Sequence, residues 1–228
     1  MADYRAGGGV LIVFFQNEWQ SDLADSHMTA ETNISDETDD SDRFEVLLRE
    51  SRKFCKAVGL HDDLILQIFT ADSDWSFIIK VDALLEAASK EVVRRSLGLT
   101  IGGKEIKSDK LDEFVDALPM SGRASLLSLL EATGCPSEHR HFIEAVRRVR
   151  NAYAHNIKNM DIPLFDLITR RSDKSHLLKN LSPISPENYE ESSVIQMYTQ
   201  AEGYKVLRFG IIDETMRFLI IAYHVALK

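Results

Sequence analysis

The chain is poor in cysteine and proline and has no long apolar run. Its two cysteines among 228 residues, Cys55 and Cys135, lie far apart and form neither a ligand cluster nor a redox pair. A disulfide framework is excluded, and a reducing, cytoplasmic setting is expected. The longest unbroken apolar run, Val10 to Phe15, falls far short of the ~20 residues that cross a bilayer. No basic stretch precedes it and no small-residue cleavage site follows, so it does not read as a signal peptide, and no membrane partner is expected. Five prolines and 44% apolar residues describe an ordinary globular chain, with room for one large domain plus a tail.

Basic charge is also in short supply, but unevenly. The net charge is -9, yet residues 1–42 hold ten acids and one base, Arg5, so the remainder carries 26 of each and is neutral. The acidic pI therefore describes the leader and does not argue against a polyanion partner for the body. Residues 16–42 are rich in acids, Ser and Thr without a sustained apolar period, and the whole leader, 1–42, is read as disordered. It suits either an intrachain mask over a basic surface or a solubilising extension. Met28 offers an alternative start. Gly7-Gly8-Gly9 lacks the Lys and Ser/Thr of a phosphate loop and reads as a flexible terminus.

Residues 43–228 read as one helical domain. Phe44, Leu47, Leu48, Phe54 and Val58 mark an amphipathic helix closed by Gly59. Leu64, Ile65, Ile68 and Phe69 suggest a short one. Asp74 is placed to cap a long helix through Trp75, Ile78, Asp82, Leu85, Ala88, Val92 and Leu97. Leu99 to Ser108 reads as a turn or small hairpin, followed by helices near Leu111–Leu118 and Gly122–Ala132. Another helix runs from Pro136 to about Asn156, Ser172 to Ser193 is read as a polar loop, and a final long helix spans about Val194 to Leu227. The sum is an all-α helical bundle.

The helix from Pro136 carries the chemistry. Phe142, Val146, Val149 and Tyr153 fall on one stripe and predict its core face. Arg147, Arg148, Glu144, Asn151 and His155 fall on the other side. Segment 139–158 holds five bases (Arg140, Arg147, Arg148, Arg150 and Lys158), one acid, and three of the seven histidines. Such a patch would draw a polyanion such as RNA. Imidazole exchanges protons near neutral pH, and guanidinium neutralises phosphate without losing its own charge. Together they suffice for metal-independent RNA cleavage. Arg150 and His155 lie about 140° apart on an ideal helix, so one helix does not easily aim both at one phosphate. The plainer alternative is a solvated basic face with His155 as a C-cap, where an imidazolium suits the helix dipole.

Arg150-Asn151-Ala152-Tyr153-Ala154-His155 resembles the signature of the HEPN superfamily, Arg-x4-6-His with Asn after the Arg. More narrowly, the chain resembles the mannitol operon repressor-like helical proteins. That likeness lies in Phe77-Ile78-Ile79, Leu84-Leu85-Glu86-Ala87, Leu118-Pro119, Ser125-Leu126-Leu127 and the closing helix, and covers roughly residues 60–225. The resemblance implies an all-α homodimer with the two motifs meeting at the interface, where His155 of each subunit supplies base or acid. It implies catalytic roles for Arg150 and His155, with Asn151 supporting, while the basic patch itself predicts RNA contacts at Arg140, Arg147, Arg148 and Lys158. It also implies an endoribonuclease of a toxin–antitoxin or phage-defence system, with an antitoxin or regulatory partner that silences it. The repressor-like branch implies instead a non-enzymatic transcriptional regulator acting through protein contacts.

No cofactor or metal is expected. Cys135, His139 and His141 do not converge, since His139 and His141 point about 200° apart on a helix. Ser121-Gly122-Arg123 reads as a helix cap and not a nucleophile elbow. Trp75 and Tyr153 read as core or interface, and His224 as a packing residue.

Overall fold

The computed structural model describes residues 36–102, 109–182, 189–199 and 203–227. The element order is α1 (Asp36–Ala57), α2 (Leu64–Phe69), α3 (Asp74–Gly102), α4 (Asp109–Ala117), α5 (Leu126–Ala132), α6 (Ser137–Ala154), a 3-10 turn (Ile157–Asn159), α7 (Leu164–Thr169), α8 (Lys174–Leu181), α9 (Glu191–Thr199) and α10 (Gly203–Ala226). Among these residues there is no strand, and no helix is long and apolar enough to cross a membrane. The fold is all-α, as the periodicity predicts.

Local chemistry explains the boundaries. Gly59 adopts φ 76°, and the Leu60 N–H donates to the Cys55 carbonyl at 2.8 Å. This left-handed closure ends α1 and is one that glycine takes without strain. Gly134 closes α5 in the same way, at φ 84° with Cys135 N–H on the Leu130 carbonyl at 3.0 Å. Pro136 then supplies the extended entry to α6.

Several expectations need correcting. The first helix begins at Asp36, inside the segment read as leader; residues 1–35, with Val10–Phe15, lie outside the described residues. The cap of α3 is Ser73, whose hydroxyl accepts from the Ser76 N–H at 3.1 Å, because Asp74 is engaged elsewhere. Helix α3 continues through Leu99 to Gly102, and residues 103–108 lie outside the description. Helix α5 starts at Leu126 with Ser125 as its cap, not at Gly122. The expected polar loop contains α8, which buries Leu177, Leu178 and Leu181. The final stripe is carried on α9 and α10, either side of residues 200–202, which are not described.

Helix α10 packs against α1 and α3, and α3 packs in turn against α4, α5 and α6. Helix α6 is thereby held between α3 on one side and α8 on another. Its predicted stripe of Phe142, Val146, Val149 and Tyr153 is buried, as are Ile143 and Ala145. Asp74 joins three elements. Its carboxylate accepts from Arg208 Nε of α10 at 2.6 Å and from the Leu164 N–H at the start of α7 at 2.6 Å. The same Arg208 donates to the Ala71 carbonyl at 2.8 Å and lies over the Phe77 ring.

Candidate functional site

The site is the C-terminal end of α6 and what holds it. Burying the Phe142–Tyr153 stripe fixes the helix's rotation, so the remaining side chains have little freedom in where they point. Tyr153 is buried and donates its hydroxyl to the Ile162 carbonyl at 2.9 Å. Asn159 donates its amide to the Ala152 carbonyl at 2.8 Å, meeting one of the acceptors left open at a helix end. His155 is the C-cap residue, with its backbone N–H on the Asn151 carbonyl at 3.0 Å and its side chain exposed. The adjoining Ile157 is 79% exposed.

Arg150 is turned the other way. Its Nε lies 3.4 Å from the Asp82 carboxylate of α3, and its Nη1 donates to Asn151 Oδ1 at 3.2 Å. A guanidinium carries five N–H donors, so Arg150 keeps others in reserve, and its side chain is about one-third exposed. Asn151 accepts from Arg150 through its side chain and from the His155 N–H through its carbonyl. Among the described residues no bond joins Arg150 to His155.

The expected open basic patch is largely compensated within the chain. Arg147 reaches Asp82 at 2.5 Å and Glu86 at 3.3 Å, both on α3. Arg148 pairs with Glu144 at 2.7 Å and Asp173 at 3.4 Å. Arg140 pairs with Glu131 at 3.2 Å and donates to the Cys135 carbonyl. Lys158 is exposed and has no ion pair among the described residues. So the structure brings Arg150, Asn151 and His155 to one helix end, leaves Lys158 beside them, and ties Arg140, Arg147 and Arg148 to carboxylates.

Asp82 is the residue that sequence reasoning did not assign. Its side chain is 5% exposed, yet it stands opposite two arginines of α6. Burial pushes its carboxyl above the ordinary 3.8, while the charges of Arg147 and then Arg150 pull it down. A signal was present: Asp82 falls within the apolar stripe of α3, and a charge on a core-facing stripe requires a partner.

The two other histidines of α6 do not join the site. His139 is buried on α6 with its Nδ1 2.6 Å from Glu214 of α10. His141 faces His176 of α8, ring centroids 6.5 Å apart. Among the described residues no three His, Cys, Asp or Glu side chains group as metal ligands. Both cysteines are buried, which pushes the Cys55 thiol to about 11 and the Cys135 thiol to about 12. In comparisons with known proteins, no family model, curated protein or solved structure matches this chain.

Proposed function

We propose that the protein is a HEPN-type, metal-independent endoribonuclease whose site is completed by a second copy of the chain. The observation that carries this reading is the exposed His155 at the end of α6, with Arg150 positioned before it by Asp82 and Asn151. One imidazole removes the proton from a 2′-hydroxyl, and the 2′-oxygen attacks the phosphorus. The P–O5′ bond breaks, and a second imidazole protonates the leaving 5′-oxygen. Arg150 neutralises the pentavalent phosphate. The products are a 2′,3′-cyclic phosphate and a 5′-hydroxyl. Each chain offers one exposed histidine at this helix end, and the reaction uses two, hence the homodimer.

The test is cleavage of labelled tRNA and total RNA in EDTA by the wild type and by His155→Ala. Cleavage that survives chelation, leaves the cyclic phosphate and disappears in the variant supports the reading. The compensated Arg140, Arg147 and Arg148 favour a second one, a regulatory protein of the mannitol operon repressor type acting through protein contacts. Absence of cleavage by a folded dimer would favour it. An antitoxin or other silencing partner belongs to the first reading and a transcriptional complex to the second.

A further inference from the structure

Asp82 is a nearly buried carboxylate facing two guanidiniums of the same helix, and the two are not equivalent. Arg147 is the closer at 2.5 Å and is also braced by Glu86. Arg150 is looser at 3.4 Å and more exposed, 34% against 21%. A buried carboxylate left with no partner is strongly unfavourable. While Arg147 remains in place, however, Arg150 can leave Asp82 without stranding it.

The geometry points to Asp82 and Arg147 as positioning residues that set the availability of Arg150. Arg147 neutralises Asp82, so that Arg150 is free to exchange the carboxylate for a phosphate of bound nucleic acid. Asp82 holds Arg150 in reach of that phosphate without claiming it. Without Arg147, Asp82 retains Arg150 as its remaining guanidinium, and a phosphate must compete with a buried charge. This inference rests on the Arg150–His155 reading of the site and names the device that regulates its anion-binding arm.

Two measurements test it on the full chain. The first is binding of a 2′-O-methyl RNA oligonucleotide, which lacks the reacting hydroxyl, followed by fluorescence anisotropy. Arg147→Gln is expected to weaken binding about tenfold, the size of one charged hydrogen bond withheld. Asp82→Asn added to Arg147→Gln restores binding to the level of Asp82→Asn alone, because no buried charge then retains Arg150. A double variant as weak as Arg147→Gln would mean that Arg147 contacts the RNA itself, and would overturn the inference. The second measurement needs no RNA: hydrogen exchange at Arg150 Nε, read by NMR, is expected to slow in Arg147→Gln as the Asp82 pair tightens. Unchanged or faster exchange would also overturn it. Wild-type protein that binds no oligonucleotide would remove the ribonuclease reading, while the exchange measurement would still decide the Asp82–Arg147 device. Should Arg147→Gln fail to fold, the same exchange is followed in the wild type with added inorganic phosphate. Phosphate is then expected to shift Arg150 Nε and leave Arg147 Nε in place; equal shifts would overturn the inference.

Discussion

Asp82 lies almost wholly out of water, and burial raises its carboxyl above the ordinary 3.8 although Arg147 and Arg150 stand beside it. The folded chain therefore holds that proton more tightly than the unfolded chain. Its contribution to stability is complete below the unfolded value and is lost as pH rises through the folded one. Wild type measured against Asp82→Asn by urea unfolding should thus gain relative stability as pH falls from about 7 to about 4. A flat difference would mean that the two guanidiniums cancel the effect of burial, and a loss of relative stability toward low pH that they outweigh it. At neutral pH the substitution is expected to cost about 1 kcal/mol or less, since a neutral amide removes the desolvation penalty along with the pairing. Neighbouring residues show what a sequence reveals at this scale. The buried stripe Phe142, Val146, Val149 and Tyr153 was legible because its period is local. The pairings of Arg147 with Asp82 and of Arg148 with Asp173 were not, because one partner lies on α3 and the other just ahead of α8. A helical wheel shows which way a residue points, but not what stands there.

At the scale of elements, Asp74 is the joint. It accepts from Arg208 of α10 and from the backbone at the start of α7, while standing at the head of α3. Both members of the ion pair are largely buried, at 12% and 14% exposed. Asp74→Ala leaves Arg208 without its carboxylate, and the expected loss is about 3 kcal/mol or more, read as a lowered urea midpoint at unchanged slope. The reading of Asp74 as a helix cap found the right position and the wrong task, because Ser73 fills the cap. Helix α8 escaped the sequence reading for a different reason. Two turns, Lys174–Leu181, give too few repeats for a 3.6-residue period to stand out from the polar residues around it. The closure at Gly59 was legible, since it is a local event made by one residue.

For the whole molecule, the question is how much positive charge is left to meet a polyanion. Five bases in segment 139–158 suggest a strong electrostatic grip, but Arg140, Arg147 and Arg148 are each paired with carboxylates of the chain. On the proposed reading Arg150, held loosely by Asp82, and Lys158 are the two that meet phosphate, so for single-stranded RNA the slope of log K against log salt should lie near about -1.4 per subunit, not about -3.5. Anisotropy titrations at several salt concentrations measure it. The steeper slope would show that the arginines abandon their carboxylates on binding.

The shared carboxylate also has a genetic consequence. Because Arg147 stays on Asp82 when Arg150 is replaced, loss of Arg150 strands no buried charge. A screen for inactive alleles should therefore recover Arg150 substitutions as proteins of normal abundance. Asp74 alleles, in contrast, should appear among the poorly expressed ones. Position 150 would then accept substitution without loss of the folded chain, which makes it a clean place to separate what the protein does from whether it folds.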